Sequence, residues 1–175
     1  MSDYGVIIDT ETVRIERVLS GQIERVWAFL TEAEKRQQWL AGGEMELQPG
    51  GRVNHVFRNG DLSAPDDPPP PKYLHLNDTV EMHGRVIACE PPTLIEYAWG
   101  DGSQVRIDLK PELGRTHITI THSRLLTRDE LVSVAAGWHT HLDILAARLG
   151  GHAPPSFWGL HTRLEADYES KMSAG

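Results

Sequence analysis

Between Thr79 and Leu125 the chain alternates apolar and polar residues, and between Asp129 and Leu149 it does not. Four segments, TVEMHGRVIACE, TLIEYAWG, SQVRIDLKPEL and RTHITITHSRL, repeat with a period of two and are rich in β-branched and aromatic residues, which predicts strands. They are divided only by Glu90-Pro91-Pro92, Gly100-Asp101-Gly102 and Leu113-Gly114. Connections this short leave no room for crossover helices, so the strands form an antiparallel meander. The period then becomes 3.6. Leu131, Val134, Ala135, Trp138, Leu142, Leu145 and Leu149 make one stripe, closed by Gly150 and Gly151, which suit a helix C-terminus. At 1.5 Å per residue, about twenty residues give roughly 30 Å, enough to cross a whole sheet. A meander needing cover, followed by a helix long enough to cover it, points to the α+β class, with the helix across the concave face.

Upstream, TETVRIERVL (10–19) reads as a first strand, and Ser20 offers an N-cap. Ile23, Val26, Trp27 and Leu30 share one helical face, and Thr31 with Glu34 matches a capping box, predicting a second short helix that ends near Trp39. Residues 43–48 and the run to Phe57 return to period two around Pro49, Gly50 and Gly51, a hairpin. The proline-rich stretch 61–78 cannot be regular structure. It is either a disordered surface insertion or a semi-rigid polyproline flap over a binding-site mouth. Beyond Pro154 and Pro155, Phe157, Leu160, Leu164 and Tyr168 predict an amphipathic helix that covers a sheet edge or serves an oligomer interface. The expectation is a single domain over 1–153 with 154–175 appended, and a possible homodimer.

Seventeen Lys and Arg against 25 Asp and Glu leave a net charge of −8, which argues against a nucleic-acid or anionic-membrane surface. Cys89 is the only cysteine, so an intrachain disulfide and a multi-cysteine zinc site are excluded. Its ordinary reading is a small buried strand residue. A reducing compartment suits it, and together with the acidic N-terminus and the lack of any apolar run of about 20 residues, a cytoplasmic protein without a membrane span is expected.

The string His139-Thr140-His141-Leu142-Asp143 is similar to the His-x-His-x-Asp-His motif of metallo-β-lactamase-like hydrolases, but Ile144 stands where the last histidine is needed. On a helix, His139 and Asp143 share a side while His141 lies about 200° away, so the three cannot converge on one ion. No metal and no cofactor are expected. His139 should be solvated, pairing at most with Asp143, and His141 should lie beside the Trp138 and Leu142 stripe. There is no nucleophile elbow, phosphate-cradling loop or helical His-Glu-x-x-His.

Strand, two helices, six strands and a long helix is the order of the helix-grip fold of START and birch-pollen-allergen-like domains. The chain resembles the branch named for the activator of heat-shock protein 90 ATPase. VWAFLTEAEKRQQWL, the glycines at 42 and 43, GRVIACEPPTLIEYAW, RTHITITHS and GWHTHLDIL carry the resemblance across roughly residues 10–150. It implies a curved antiparallel sheet of about seven strands gripping the C-terminal helix around a cavity. By the same resemblance the commonest role is binding a lipid, polyketide or aromatic molecule, and some relatives are cyclases or dehydratases. A chaperone partner is a third expectation from the resemblance, although the ATPase-stimulating activity of the eukaryotic co-chaperone does not carry over, since that protein has a separate N-terminal domain that this chain lacks.

Alternation assigns the inward residues. Ile118, Ile120 and His122 share a face, as do Ile95, Tyr97 and Trp99, and Val105, Ile107 and Leu109; for RVNHVF, Val53, His55 and Phe57 are preferred to Asn54, Val56 and Arg58. The expected ligand-binding set is Trp39, His55, Phe57, Met82, Tyr97, Trp99, Ile107, Ile120, His122, Trp138, His141 and Leu142: apolar walls with a few polar handles. For acid-base chemistry His122 is the candidate base and Tyr97 the candidate donor to an enolate. The alternative is that these aromatics simply fill a core, since patterning is identical in either case.

Overall fold

The computed structural model describes residues 2–173. Seven antiparallel strands, β1 (Val6–Asp9), β2 (Thr12–Ser20), β3 (Arg52–Phe57), β4 (Val80–Glu90), β5 (Leu94–Ala98), β6 (Gln104–Glu112) and β7 (Arg115–Ser123), form one open curved sheet. Their order is β1-β2-β7-β6-β5-β4-β3. Helices α1 (Ile23–Thr31) and α2 (Ala33–Arg36) follow β2, and α3 (Arg128–Gly150) and α4 (Phe157–Ser173) close the chain. This is the helix-grip architecture. The alternation holds: Val53, His55, Ile95, Tyr97, Val105, Ile107, Leu109, Ile118, Ile120 and His122 all face inward and are buried. Thr127 caps α3 in a complete capping box, accepting from Glu130 N at 3.1 Å while the Glu130 carboxylate accepts from Thr127 N at 3.3 Å. Gly151, at φ 72°, ends the helix in the left-handed region.

Several expectations are corrected. The count of seven strands stands, but its membership differs. Residues 42–48 make only two isolated bridges, Gly42 to Val56 and Met45 to Val53. The ladder breaks at Glu46, whose carbonyl accepts from Gln48 N at 2.9 Å while its carboxylate takes the Arg52 N–H at 2.8 Å. The seventh strand is β1, which shows no burial period because all four of its residues are exposed. Ser20 ends β2 and caps nothing; α1 begins after Gln22, which makes no side-chain cap. Thr31 forms no capping box, because its hydroxyl donates back to Trp27 O at 2.9 Å.

The proline-rich stretch is neither disordered nor wholly irregular. Two 3₁₀ turns, Asn59–Leu62 and Pro71–Leu76, flank it, and Tyr73 is buried at 8% exposure, stacked on Trp158 with ring centroids 6.0 Å apart. Trp158 Nε1 donates to Asn77 Oδ1 at 3.0 Å, Trp158 N to Ser63 Oγ at 3.0 Å, and Tyr73 OH to Glu165. The insertion is therefore bound to α4. Helix α4 in turn covers α3 rather than a sheet edge. Leu160, Leu164 and Tyr168 join Leu131, Val132, Ala135 and Ala136 in a second core, so α3 is buried on nearly every side. Among the described residues no helix is long and apolar enough to cross a membrane.

Candidate ligand cleft

The expected site residues separate into two layers. Trp39, His55, Tyr97, Ile107, Ile120 and Leu142 are at most 3% exposed and belong to the closed core. Trp39 Nε1 donates to Phe29 O at 2.8 Å, and His55 Nε2 and Tyr97 OH share a hydrogen bond of 2.9 Å. Burial pushes the His55 imidazole down to about 3, helped by the Arg36 charge, and the Tyr97 phenol well above its usual value. Arg36 itself went unmarked by the sequence reading. It is a buried cation with no carboxylate beside it among the described residues, held by the backbone carbonyls of Leu30, Thr31, Ala41 and Gly43.

Phe57, Met82, Trp99, His122, Trp138 and His141 form the second layer, and these border open space. A cleft of about 590 Å³ lies between the ends of β3, β4 and β5, the 59–78 stretch and α3, with Phe57, Asn59, Leu76, Met82, Trp99 and His141 in its wall. A recess of about 160 Å³ continues from it past Trp99 to His122 and Trp138; Phe57, Trp99, Asp101 and His141 border both. Sequence reasoning missed Asn59, Leu76, Val80, Asp101 and Gly137 in this lining. Gly137 had a signal, an isolated glycine inside a helical stripe. Nothing lies within 4 Å of where its Cβ would stand, so its lack of a side chain keeps the recess open.

A family model, Activator of Hsp90 ATPase homolog 1-like protein, matches residues 72–150. The solution structure of the protein encoded by gene BPP1335 of Bordetella parapertussis is 38% identical with a TM-score of 0.81, over 96% of this chain and 90% of that one. The chain belongs to the activator-of-Hsp90-ATPase-like family. Two more distant structures share the fold. The AHSA1-like protein of Aeromonas hydrophila is 22% identical with a TM-score of 0.61, over 80% of this chain and 94% of that one. CalU16 of Micromonospora echinospora is 19% identical with a TM-score of 0.63, over 91% and 86%. No curated protein is matched.

In this activator-like chain the two candidate catalytic residues do not meet. Tyr97 lies in the closed layer with its hydroxyl on His55, outside the lining of either compartment. His122 borders the recess, but both ring nitrogens are engaged. Trp138 Nε1 can only donate, so His122 Nδ1 accepts that bond at 3.0 Å and the ring proton sits on Nε2. Nε2–H donates to Ser103 Oγ at 2.8 Å, and Ser103 Oγ–H donates to Asp101 Oδ1 at 2.6 Å. Burial lowers His122 to about 4, with Asp101 opposing. The chain from Trp138 to Asp101 fixes the wall and leaves no lone pair on His122 for a substrate.

The His139-Thr140-His141 string is helical, and its histidines face apart. The expected solvation of His139 is corrected: it is 4% exposed because α4 covers it, with Nδ1 2.8 Å from Tyr168 OH and Nε2 3.7 Å from Asp143. Asp143 also pairs with Arg17 at 3.0 Å. Among the described residues no group of three or more His, Cys, Asp or Glu is placed to hold a metal ion. Cys89 is half-buried, and burial raises its thiol.

Proposed function

We propose that this protein binds a small, largely apolar molecule, a lipid, polyketide or aromatic compound, in the cleft between sheet and α3. The observation that carries the reading is the division into layers. The inner aromatics are sealed in the core, while Phe57, Trp99 and Trp138, in ring contact at 5.9 and 6.0 Å, keep one side on open space: Phe57 and Trp99 border the cleft of about 590 Å³, within the roughly 300–1,000 Å³ of known small-molecule sites, and Trp138 borders the recess beside it. Binding is favoured over catalysis by the engagement of His122 and by the low basicity of His141, lowered to about 4, since an effective general base at neutral pH has a pKa near the working pH. The lone Cys89 and the net charge of −8 fit a cytoplasmic setting.

The deciding experiment is native mass spectrometry of protein purified from its own source, followed by denaturing extraction. A stoichiometric small molecule supports the reading. Empty protein that also shows no thermal shift across lipid and aromatic compounds overturns it. A second reading rests on β1, where Val6, Ile7 and Ile8 are 55%, 41% and 41% exposed on the open sheet edge: pairing with a second copy along that strand. Sedimentation of wild type against Ile7→Lys tests it, and a monomer in both removes it. A chaperone partner has only the family resemblance behind it.

A further inference from the structure

His141 is the one histidine that borders both compartments of the cleft among the described residues. Its Nδ1 lies 2.7 Å from Trp39 O. A carbonyl oxygen only accepts, so the ring proton is on Nδ1 and Nε2 carries a lone pair. Among the described residues nothing bonds to Nε2, and Nε2 is not one of the polar atoms sealed from solvent. The residue keeps 7% exposure and borders both compartments. That lone pair is therefore presented to the cavity in a fixed tautomer, by a ring that neighbours Phe57 at 6.5 Å.

The charges around it have one sign. Among the described residues lining the two compartments none is Lys or Arg, whereas Asp101 borders both and Glu81 borders the larger. A ligand carboxylate would meet an acceptor at His141 and like charge at Asp101, with no cation to offset its desolvation. A hydroxyl or amine would meet an acceptor that has no other partner, and leaving such an acceptor unpaired is the costly alternative.

Building on the cleft reading, we propose that the site selects ring-bearing apolar molecules that donate a hydrogen bond to His141 Nε2, and that it rejects carboxylates, free fatty acids included. The aromatic walls supply affinity, and the single acceptor supplies discrimination. The test is calorimetric titration of the full chain with three probes of one ring system: 2-naphthol, 2-methoxynaphthalene and 2-naphthoate. 2-Naphthol is expected to bind about fivefold to tenfold more tightly than its methyl ether, the worth of one hydrogen bond, with 2-naphthoate weakest. In His141→Phe the ratio of naphthol to ether falls to about one while the ether still binds. In case that variant does not fold, the wild-type protein offers a second readout: the ¹⁵N resonance of His141 Nε2 moves with 2-naphthol and stays with the ether. An ether that binds as tightly as the naphthol, or a naphthoate that matches it, overturns the selectivity and leaves the cleft reading standing. Failure of all three probes to bind overturns both.

Discussion

Helix α3 carries two histidines two residues apart, and its two faces treat them differently. His139 faces α4, where Tyr168, Asp143 and Arg17 surround it and the interface closes. His141 lies on the cavity side, its ring between Phe57 at 6.5 Å and Phe157 of α4 at 5.0 Å, with one ring nitrogen held by Trp39 O and the other left to the cavity. Residue type, helix and depth of burial are nearly the same. What differs is the surroundings: His139 has the Tyr168 hydroxyl from α4 and the Asp143 carboxylate one turn along its own helix, whereas His141 has a single backbone carbonyl and a wall of rings. An interface built for stability satisfies its polar groups, whereas a binding surface keeps one for its guest.

Acid should have the largest effect, on the core and cavity side. His55, His122 and His141 are held at about 3, 4 and 4, below the ordinary imidazole value of 6.5. The unfolded chain therefore binds more protons than the folded one between those limits. The stability is fully present above about pH 6.5 and is lost as pH falls toward 4, each unit of depression counting for about 1.4 kcal/mol. Urea unfolding from pH 8 to pH 4 should give a flat midpoint down to pH 6.5 and a steep fall below it; a flat profile throughout would contradict the burial of these rings.

Next in size, Trp158→Ala removes the ring on which Tyr73 stacks and the donor to Asn77. A loss of about 3–5 kcal/mol in urea unfolding is expected, in the range for a buried Trp. Weaker probe binding should accompany it, since the 59–78 stretch supplies Asn59 and Leu76 to the cleft. The α4 face alone is sharpened by Tyr168→Phe, which deletes the hydroxyl shared by His139 and the Gly5 N–H. It should cost about 1–2 kcal/mol and leave 2-naphthol affinity unchanged; a change in affinity would mean the two faces are coupled.

The smallest stability effect belongs to Gly137→Leu, and its sign is reversed. Replacing a mid-helix glycine should add about 0.5–1 kcal/mol of stability, while the new side chain enters the 160 Å³ recess and weakens probe binding. A variant that is stabilised and still binds normally would place the ligand outside the recess.

Where burial is one-sided the residues announced it. The alternation of β5, β6 and β7 was legible because a covered face and an exposed face leave opposite residues in turn. The same logic failed at β1, which is exposed on both faces, and at residues 43–48, where the Glu46 carboxylate takes the Arg52 N–H that a ladder would have used. It failed again at His139, since a helix covered on two sides has no solvent face to predict.

Local chemistry thus settled the fold class, the inward-facing strand residues and the long covering helix, because periods of 2.0 and 3.6 follow from backbone geometry alone. The tertiary structure alone decided which aromatics close-pack and which border a cavity, that α4 clamps the 59–78 stretch, and that His141 rather than His122 keeps a free lone pair. Each depends on contacts between residues distant in the chain, such as Trp39 with His141 and Trp138 with His122, and the pattern along the sequence holds no record of such pairings.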